Sequence, residues 1–306
     1  MVEENAINVK YTFLLPAYKS SYFAEALTSI KNQSFRDFKV IVSDDCSPEN
    51  IRSIYDLIVG YDSRFVYRRN EKNIGGRSLV SHWNLLVGLC DTEYLIMASD
   101  DDIYEPDFLK DINVLVEKYP QVDILRARAR RIENEVTTCE DGDIPELLPQ
   151  EEFLKYFGQK SMVLCLANYV FRTSALKAMD GFPDFPTAAK SDTATAICLS
   201  KNGIATTKDI LFSFRMSNEN LSSSNGYEKN TIKTAEANIM FADWYREKYG
   251  ETYPYKYAVE GVGYYLMARM PLYESIRYAI KFKKRGYYIG IKPLFTMTKN
   301  WIKIHL

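Results

Sequence analysis

Carboxylates stand in two tight clusters in the first third of the chain. Asp100–Asp102 is a run of three, and Asp44 and Asp45 form a pair. Adjacent carboxylates repel one another unless positive charge lies among them. Hard oxygen ligands suit Mg²⁺ and Mn²⁺, which commonly bridge one or two carboxylates to the phosphates of a substrate. The run therefore predicts a metal–diphosphate site, and the alternative is an acidic turn ahead of Pro106.

Two further motifs could contribute to binding. Asp44-Asp45-Cys46-Ser47 could offer a carboxylate to a base N–H or to ribose hydroxyls, although Asp and Ser also favour plain turns. In Asn73-Ile74-Gly75-Gly76-Arg77, the glycines permit close backbone approach and Arg77 could pair with a diphosphate. The alternative for this second motif is a loop with a solvated arginine.

Strand and helix patterns alternate over the first 110 residues. The strands are Tyr11–Leu15, Phe38–Ser43, Phe65–Arg68 and Tyr94–Ala98, and the helices are Ser21–Gln33, Pro48–Val59 and Leu79–Leu89. This alternation predicts an α/β fold with right-handed crossovers and a mostly parallel central sheet flanked by helices. Ligands bind such sheets beyond the carboxyl ends of the strands. Pro16–Tyr18, Asp44-Asp45 and Asp100–Asp102 each follow a different strand, so we expect them to meet at one edge.

The rest of the chain is less regular. We expect a helix at Asp111–Lys118, a strand at Asp123–Arg130, an acidic and turn-rich loop at Glu133–Pro149, a helix at Ser191–Lys201, a strand ending at Phe214, and helices at Thr231–Tyr249 and Tyr257–Met270. The change of character near Gly226 predicts one α/β domain over residues 1–225 and a helical C-terminal appendage over 226–306.

Composition excludes some functional classes. The 306 residues carry a net charge of −1, so no overall positive field indicates nucleic-acid binding. The five cysteines are far apart and form no C-x-x-C pair, which favours a reducing, cytoplasmic location over zinc or disulfides. Met1–Lys10 carries two glutamates and no apolar core, so we expect no signal peptide. No stretch approaches the roughly 20 apolar residues of a spanning helix.

The tail over residues 276–306 mixes basic and aromatic side chains. That mixture suits the interface of an anionic membrane, which would place the protein peripherally on the inner face. The alternative is a packing helix with a solvated basic face.

Five segments, in order, resemble glycosyltransferase family 2, a family of inverting enzymes with the GT-A fold. They are Phe13-Leu14-Leu15-Pro16-Ala17-Tyr18, Ser29-Ile30-Lys31-Asn32-Gln33-Ser34-Phe35, Val42-Ser43-Asp44-Asp45-Cys46-Ser47, Asn73-Ile74-Gly75, and Ser99-Asp100-Asp101-Asp102 ahead of Pro106. The resemblance implies a nucleotide-sugar-binding half over 10–110 and an acceptor-binding half over 111–225. It implies transfer of a sugar, typically from a UDP-sugar, to a hydroxyl of a glycan or lipid-linked acceptor, as in surface polysaccharide biosynthesis.

The resemblance also implies roles for single residues. Pro16 and Tyr18 would line the nucleobase pocket, and Asp44 would bind the base. Arg77 would lie near the nucleotide. Asp101 would be the main ligand of Mn²⁺ or Mg²⁺, Asp100 would contact ribose or metal, and Asp102 is a third candidate ligand. Ser99 stands where the family's D-x-D pattern, counted back from Pro106, places its first aspartate.

The family's general base follows a Gly-x-x-aromatic segment at the start of a helix. Gly181-Phe182-Pro183 followed by Lys190-Ser191-Asp192 matches this arrangement, so the resemblance makes Asp192 the catalytic base. A helix N-cap is the alternative for Asp192. The family's Arg-x-His segment here reads Arg215-Met216-Ser217, without histidine, which leaves Arg215 at most a phosphate contact.

Other functional classes fit less well. A nucleotidyltransferase would open with a Gly-rich basic loop after the first strand, and Pro16–Lys19 is not such a loop. A phosphatase-type hydrolase needs an Asp nucleophile after that strand, where Leu15 is followed by proline. A non-catalytic protein that binds nucleotide sugars remains an alternative.

Overall fold

A computed structural model of the protein describes residues 9–158, 162–217, 224–252 and 272–283. The chain forms two compact units. The first contains Met1–Pro183 and Thr195–Met216, and the second contains Asp184–Ala194 and Ser217–Leu306. The predicted helix at Tyr257–Met270 lies outside the described residues, as does the tail beyond Lys283.

The first unit is built on one large sheet. Its strands are β1 Tyr11–Ala17, β2 Phe38–Asp44, β3 Phe65–Arg69, β4 Tyr94–Met97, β5 Ile103–Tyr104, β6 Ile124–Glu133, β7 Val136–Glu140, β8 Leu147–Leu148, β9 Tyr169–Arg172 and β10 Ile204–Met216. Its helices are α1 Phe23–Lys31, α2 Ile51–Val59, α3 Leu79–Leu89, α4 Phe108–Lys118, α5 Gln150–Gly158 and α6 Thr173–Ala178. The α/β prediction is confirmed.

The strands run in the order β3-β2-β1-β4-β9-β6-β10-β5. The first four are mutually parallel, as the alternation of strands and helices predicts. The strand β9 is antiparallel to both β4 and β6, and β10 is parallel to β6. Two reversals restore the original direction, so the carboxyl ends of β1 to β4, β6 and β10 all lie at one edge of the sheet. This edge carries the candidate site.

The predicted loop at Glu133–Pro149 is wrong in part, because it contains β7 and β8. The strand β7 is exposed at every residue and therefore has no alternation of apolar and polar side chains. It is held by pairing with β6 through a tight turn, in which Asn134 and Glu135 have φ of 49° and 62°. Such left-handed pairs suit two-residue hairpins.

The core below the acidic run is aromatic. Tyr104 packs edge-on against Phe13 and Phe108, with ring centroids 5.2 and 4.8 Å apart, and its hydroxyl donates to the carbonyl of Ala167 at 2.8 Å. All three rings are buried. The chain that leaves the acidic run is therefore fixed two residues after Asp102.

The second unit is helical where it is described. The long helix α8, Ser224–Tyr249, packs Phe241 and Trp244 against Phe185, and a further helix covers Leu272–Lys283. The domain boundary predicted near residue 225 stays a prediction. None of the described helices is both long and apolar enough to cross a membrane.

Candidate active site

The acidic run follows β4, and its three carboxylates have different surroundings. Asp102 is buried: its Oδ1 accepts from the backbone N–H of Arg215 at 2.9 Å, and its Oδ2 accepts from the Ser99 hydroxyl. The Cys165 thiol lies 3.7 Å from the same Oδ2. These contacts favour a structural role for Asp102, while its predicted contact with metal stays a prediction.

Asp100 ties the acidic run to the loop after β1. Its Oδ2 accepts from the backbone N–H groups of Tyr18 and Lys19, both at 2.9 Å. Burial raises the pKa of Asp100, and these two N–H donors oppose that rise. The predicted donor-binding residues at the ends of β1 and β4 are thereby joined through one carboxylate oxygen.

Asp101 lies between these two carboxylates. Burial and the charge of Asp100 raise the pKa of Asp101 to about 6, whereas the charges of Lys19 and Arg215 lower it. A half-buried carboxyl under that repulsion gains stability from a cation. Burial and the charge of Asp101 likewise raise the pKa of Asp102 well above its ordinary value.

The loop after β1 is held at three points. Besides the contacts to Asp100, the Ser47 hydroxyl donates to the Tyr18 carbonyl at 2.5 Å, and the N–H of Ser20 donates to Glu49 at 2.5 Å. Pro16 is half-buried, and the Tyr18 side chain is exposed. A fixed backbone with an exposed ring is suited to stacking on a flat ligand.

Asp44 ends β2 and has no exposed surface. Its Oδ1 accepts from the N–H of Ser47 at 2.8 Å, and its Oδ2 accepts from the Tyr67 hydroxyl at 2.5 Å and from Arg69. Sequence reasoning missed Tyr67 and Arg69. No local pattern marks these two residues, because the parallel register of β2 and β3 is what places Arg69 directly beside Asp44.

Asp45 holds the glycine-containing loop before α3. It accepts from the side-chain amide of Asn70 at 2.8 Å and from the N–H groups of Ile74 and Gly75 at 2.9 and 2.6 Å. A Cβ on Gly75 would lie 2.9 Å from Asp45 Oδ2. The glycine is therefore needed for close approach to a carboxylate of the protein itself. Buried His82, with Nδ1 3.6 Å from Asp45, completes this network.

Arg77 lies at the end of that loop, and its side chain is exposed. Its N–H donates to the Ile74 carbonyl at 3.0 Å. Within the described part of the chain, the guanidinium has no ion-pair partner. The prediction that Arg77 contacts a nucleotide is compatible with this placement but stays a prediction.

The Ser29–Phe35 segment supports the acidic run from below. Buried Gln33 donates to the carbonyl of Glu105 at 2.8 Å and accepts from the N–H of Leu109 at 3.0 Å. The N–H of Ser34 donates to the carbonyl of Pro106 at 2.8 Å. The hydrogen bonds of this motif thus hold residues 104–109 in place.

Arg215 was expected to be at most a phosphate contact. Its Nε donates to the carbonyl of Asp101 at 3.0 Å, and its two terminal nitrogens pair with Glu25 and Glu135. The guanidinium carbon also lies 4.3 Å from the Tyr22 ring centroid. Because all three nitrogens are engaged, Arg215 acts as a clamp on the acidic run.

Asp192 lies in the first turn of α7, Ser191–Leu199, and belongs to the second unit. It accepts from the N–H of Thr193 at 2.6 Å. Burial raises the pKa of Asp192, while Lys190 opposes the rise; burial lowers the pKa of Lys190 itself. The role of Asp192 as base stays a prediction.

The aspartates fit a metal that a substrate helps to hold. In the described ranges, no three His, Cys, Asp or Glu side chains come close enough to bind a metal alone. Mg²⁺ is usually bound through one or two carboxylates plus substrate phosphates. Asp100 and Asp101, with oxygen ligands and raised pKa values, suit that mode.

Comparison with known proteins identifies the family. Residues 12–179 match the sequence profile of glycosyl transferase family 2, which is more than half of the chain. The chain belongs to glycosyl transferase family 2. The match covers both aspartate clusters and the loop with Arg77, and it ends before Asp192 and Arg215.

Relatives of known structure confirm the GT-A fold of the family. Staphylococcus aureus TarS, residues 1–349 in complex with UDP-GlcNAc, is 18% identical, with a TM-score of 0.60 over 85% of this chain and 82% of that one. The mannosyltransferase PcManGT of Pyrobaculum calidifontis, in complex with GDP-Man and Mn²⁺, is 15% identical, with a TM-score of 0.57 over 96% of this chain and 85% of that one.

A sequence relative carries the name of an uncharacterized glycosyltransferase from Methanocaldococcus jannaschii. It is 28% identical over 152 residues, which are 47% of this chain and 48% of the relative. The chain therefore aligns with about half the length of that protein.

Proposed function

We propose that this family 2 protein transfers a sugar, with inversion, from a nucleotide diphosphate donor to a hydroxyl of a glycan or lipid-linked acceptor. The donor is a UDP-sugar, and the pathway is the synthesis of a surface polysaccharide. The observation that supports this most is the joining of Asp100 to the backbone of Tyr18 and Lys19. It brings a candidate metal–diphosphate site and a candidate base platform to adjacent strand ends.

The donor would lie along the carboxyl edge of the sheet. The exposed Tyr18 ring would stack on the base beside Pro16, and the exposed Arg77 would pair with the diphosphate. Asp101 and Asp100 would hold Mn²⁺ or Mg²⁺, which as a Lewis acid neutralises charge on a leaving diphosphate. Arg215 would hold the backbone of Asp101, and Gln33 would hold the segment from Glu105 to Leu109 that follows the run.

Asp192 would act as the general base. A carboxyl whose pKa is raised by burial accepts a proton more readily than an exposed one. It would take the proton of the acceptor hydroxyl as the hydroxyl oxygen attacks the anomeric carbon opposite the diphosphate. The anomeric centre is then inverted.

A thermal-shift screen of nucleotide sugars with Mn²⁺ tests the donor class. We expect one UDP-sugar to raise the melting temperature, since a ligand at a hundred times its Kd stabilises by about 2.7 kcal/mol. EDTA should remove the effect, and release of UDP in the presence of acceptor should follow. A shift with GDP-sugars alone would refute the UDP-sugar assignment, and absence of any shift with UDP- and GDP-sugars would refute the proposed function.

A second proposal concerns the tail over residues 276–306. In the helix Leu272–Lys283, Tyr273, Ile276 and Ile280 are 79%, 45% and 53% exposed and share one face. Residues 272–306 contain eight Lys or Arg and one Glu, in a chain with net charge −1. An exposed apolar stripe with basic neighbours suits the surface of an anionic membrane. We propose peripheral contact with the cytoplasmic face of a membrane.

Co-sedimentation of the full chain with phosphatidylserine vesicles tests this second proposal. We expect binding that weakens with salt and with the triple change Tyr273→Ser, Ile276→Ser, Ile280→Ser. Neutral vesicles are the control for charge. Equal sedimentation of the parent and the triple variant would contradict the contact.

A further inference from the structure

The side chain of Arg69 lies at the edge of the sheet that carries the candidate base platform. It is 46% exposed, whereas its partner Asp44 has no exposed surface. One terminal nitrogen of Arg69 donates to Asp44, and the other donates to the carbonyl of Ser47 at 2.9 Å. The guanidinium is thus fixed by hydrogen bonds from both terminal nitrogens to the protein, and the side chain remains partly exposed to solvent.

Asp44 has little capacity left for a ligand. Its Oδ1 accepts from the N–H of Ser47, and its Oδ2 accepts from both Tyr67 and Arg69. Burial and the charge of Asp44 raise the pKa of Tyr67 to about 12, so the phenol stays protonated and keeps donating. A base N–H could reach this carboxylate only if one of these donors moved away.

Ser47 connects Arg69 to the base platform. Its carbonyl accepts from Arg69, while its hydroxyl donates to the Tyr18 carbonyl at 2.5 Å. An exposed aromatic side chain and an exposed guanidinium therefore stand on either side of one residue. A flat ligand that stacks on Tyr18 and extends past Ser47 would meet Arg69.

We propose that Arg69 is a specificity-determining residue of the nucleobase pocket, where its guanidinium donates to a carbonyl oxygen of the base. Asp44 is then a positioning residue that acts through Arg69. The proposal rests on the proposed function, because it presumes a nucleotide donor.

The chemistry of the guanidinium sets the selectivity. A guanidinium has five N–H donors and no acceptor, so it favours base edges that carry carbonyl oxygens. Uracil presents two such oxygens and guanine presents one with a ring nitrogen beside it. Cytosine keeps its O2 carbonyl with the acceptor N3 beside it, but it carries an amino group, another donor, where uracil carries O4. An Arg69 that donates to O4 of uracil or O6 of guanine should therefore select either base over cytosine.

Calorimetric titration of the full chain with UDP, GDP and CDP, each with Mn²⁺, tests this assignment. We expect Arg69→Met to weaken the preferred one of UDP and GDP by about tenfold, the size of one lost hydrogen bond to a charged group. The preference over CDP should shrink by a similar factor. Arg246→Met is the matched control, because Arg246 is 44% exposed, pairs with Asp243 instead and belongs to the second unit.

The variant Arg69→Lys is the control for a loss of folding in Arg69→Met. It keeps a positive charge beside buried Asp44 but removes the planar fork. We expect it to melt near the parent temperature and still to lose preference over CDP. A purely structural role would lower the melting temperature of the variants and leave the ratio between bases unchanged.

The failures are distinguishable. If the parent binds UDP or GDP and Arg69→Met binds it as tightly or more tightly, the Arg69 assignment is overturned while the proposed function stands. If the parent binds none of the three nucleotides, the proposed function fails and the assignment falls with it.

Discussion

The backbone N–H of Arg215 donates to Oδ1 of Asp102 at 2.9 Å, across 113 positions of sequence. The side chain of the same residue donates to the carbonyl of Asp101 at 3.0 Å. Arg215 therefore holds the acidic run twice, once through its backbone and once through its guanidinium. The first contact survives any substitution except proline, and the second does not.

Replacing Arg215 by Met should lower the free energy of unfolding by about 2–3 kcal/mol. The side chain is 3% exposed and would lose a buried hydrogen bond, while its ion pairs to exposed Glu25 and Glu135 contribute less. Urea unfolding measures the change. Arg246→Met removes the exposed pair with Asp243 and should change stability by less than about 0.5 kcal/mol. Equal losses in both variants would contradict the clamp.

Asp101→Asn and Asp102→Asn should fail in different ways. Asp101→Asn should abolish the stabilisation by UDP that depends on Mn²⁺ and reduce transfer by roughly a hundredfold or more, since metal catalysis supplies several kcal/mol. Asp102→Asn should lower thermal stability, because buried Asp102 accepts from Arg215 and Ser99, yet keep the response to Mn²⁺. Loss of that response in Asp102→Asn alone would reassign the metal ligand.

Stability should depend on pH through Asp101. Its pKa is about 6 in the folded protein against an ordinary 3.8, so the folded state binds this proton more tightly than the unfolded state. The contribution of this group is present at low pH and is lost as pH rises from about 4 through 6. In urea unfolding with EDTA, the free energy of unfolding of the parent minus that of Asp101→Asn should be smaller at about pH 7.5 than at about pH 5. A larger value of this signed difference at about pH 7.5 would contradict the pKa shift.

Gly75→Ala should destabilise the protein, because the new Cβ would lie 2.9 Å from Asp45 Oδ2 and disturb a carboxylate with three donors. The control is Gly88→Ala in α3, where a Cβ meets nothing within 4 Å. Alanine there should stabilise by roughly 0.5–1 kcal/mol. Thermal melts of the two variants should therefore shift in opposite directions.

Asp192→Asn should keep donor binding and abolish transfer. The amide retains the size of the side chain but takes no proton from an acceptor hydroxyl. Calorimetry with UDP and a transfer assay measure the two effects separately. Exposed Asp180 has φ of 63°, which asparagine tolerates, so Asp180→Asn is a matched control with normal turnover. Normal turnover of Asp192→Asn would place the base elsewhere.

The sequence was sufficient to predict the parallel half of the sheet, strands β1 to β4. Runs such as Phe13–Leu15 are buried on both faces of the sheet and therefore read as continuous apolar segments. Their ends predicted where Tyr18, Asp44 and Asp100 would come together, since parallel strands end at one edge.

Contacts between distant segments could not be predicted in this way. The enclosure of Asp44 depends on the register of β2 against β3, which places Arg69 beside it. The clamp depends on β10 returning beside β6, and no local pattern marks Arg215 as buried. The strand β7 was missed because all its residues are exposed, which leaves no periodicity to detect.

The strand β10 has a consequence for biosynthesis. Translation delivers the acidic run long before Arg215, and chains fold from the N-terminus as they are made. Until Met216 has been added, the edge of β6 that pairs with β10 stays open, and the guanidinium that holds Asp101 does not yet exist. The carboxylates are therefore among the early parts of the nascent chain, but the contacts of Arg215 to Asp101 and Asp102 form late. Truncation ahead of β10 would leave the three aspartates in the chain and remove these two contacts.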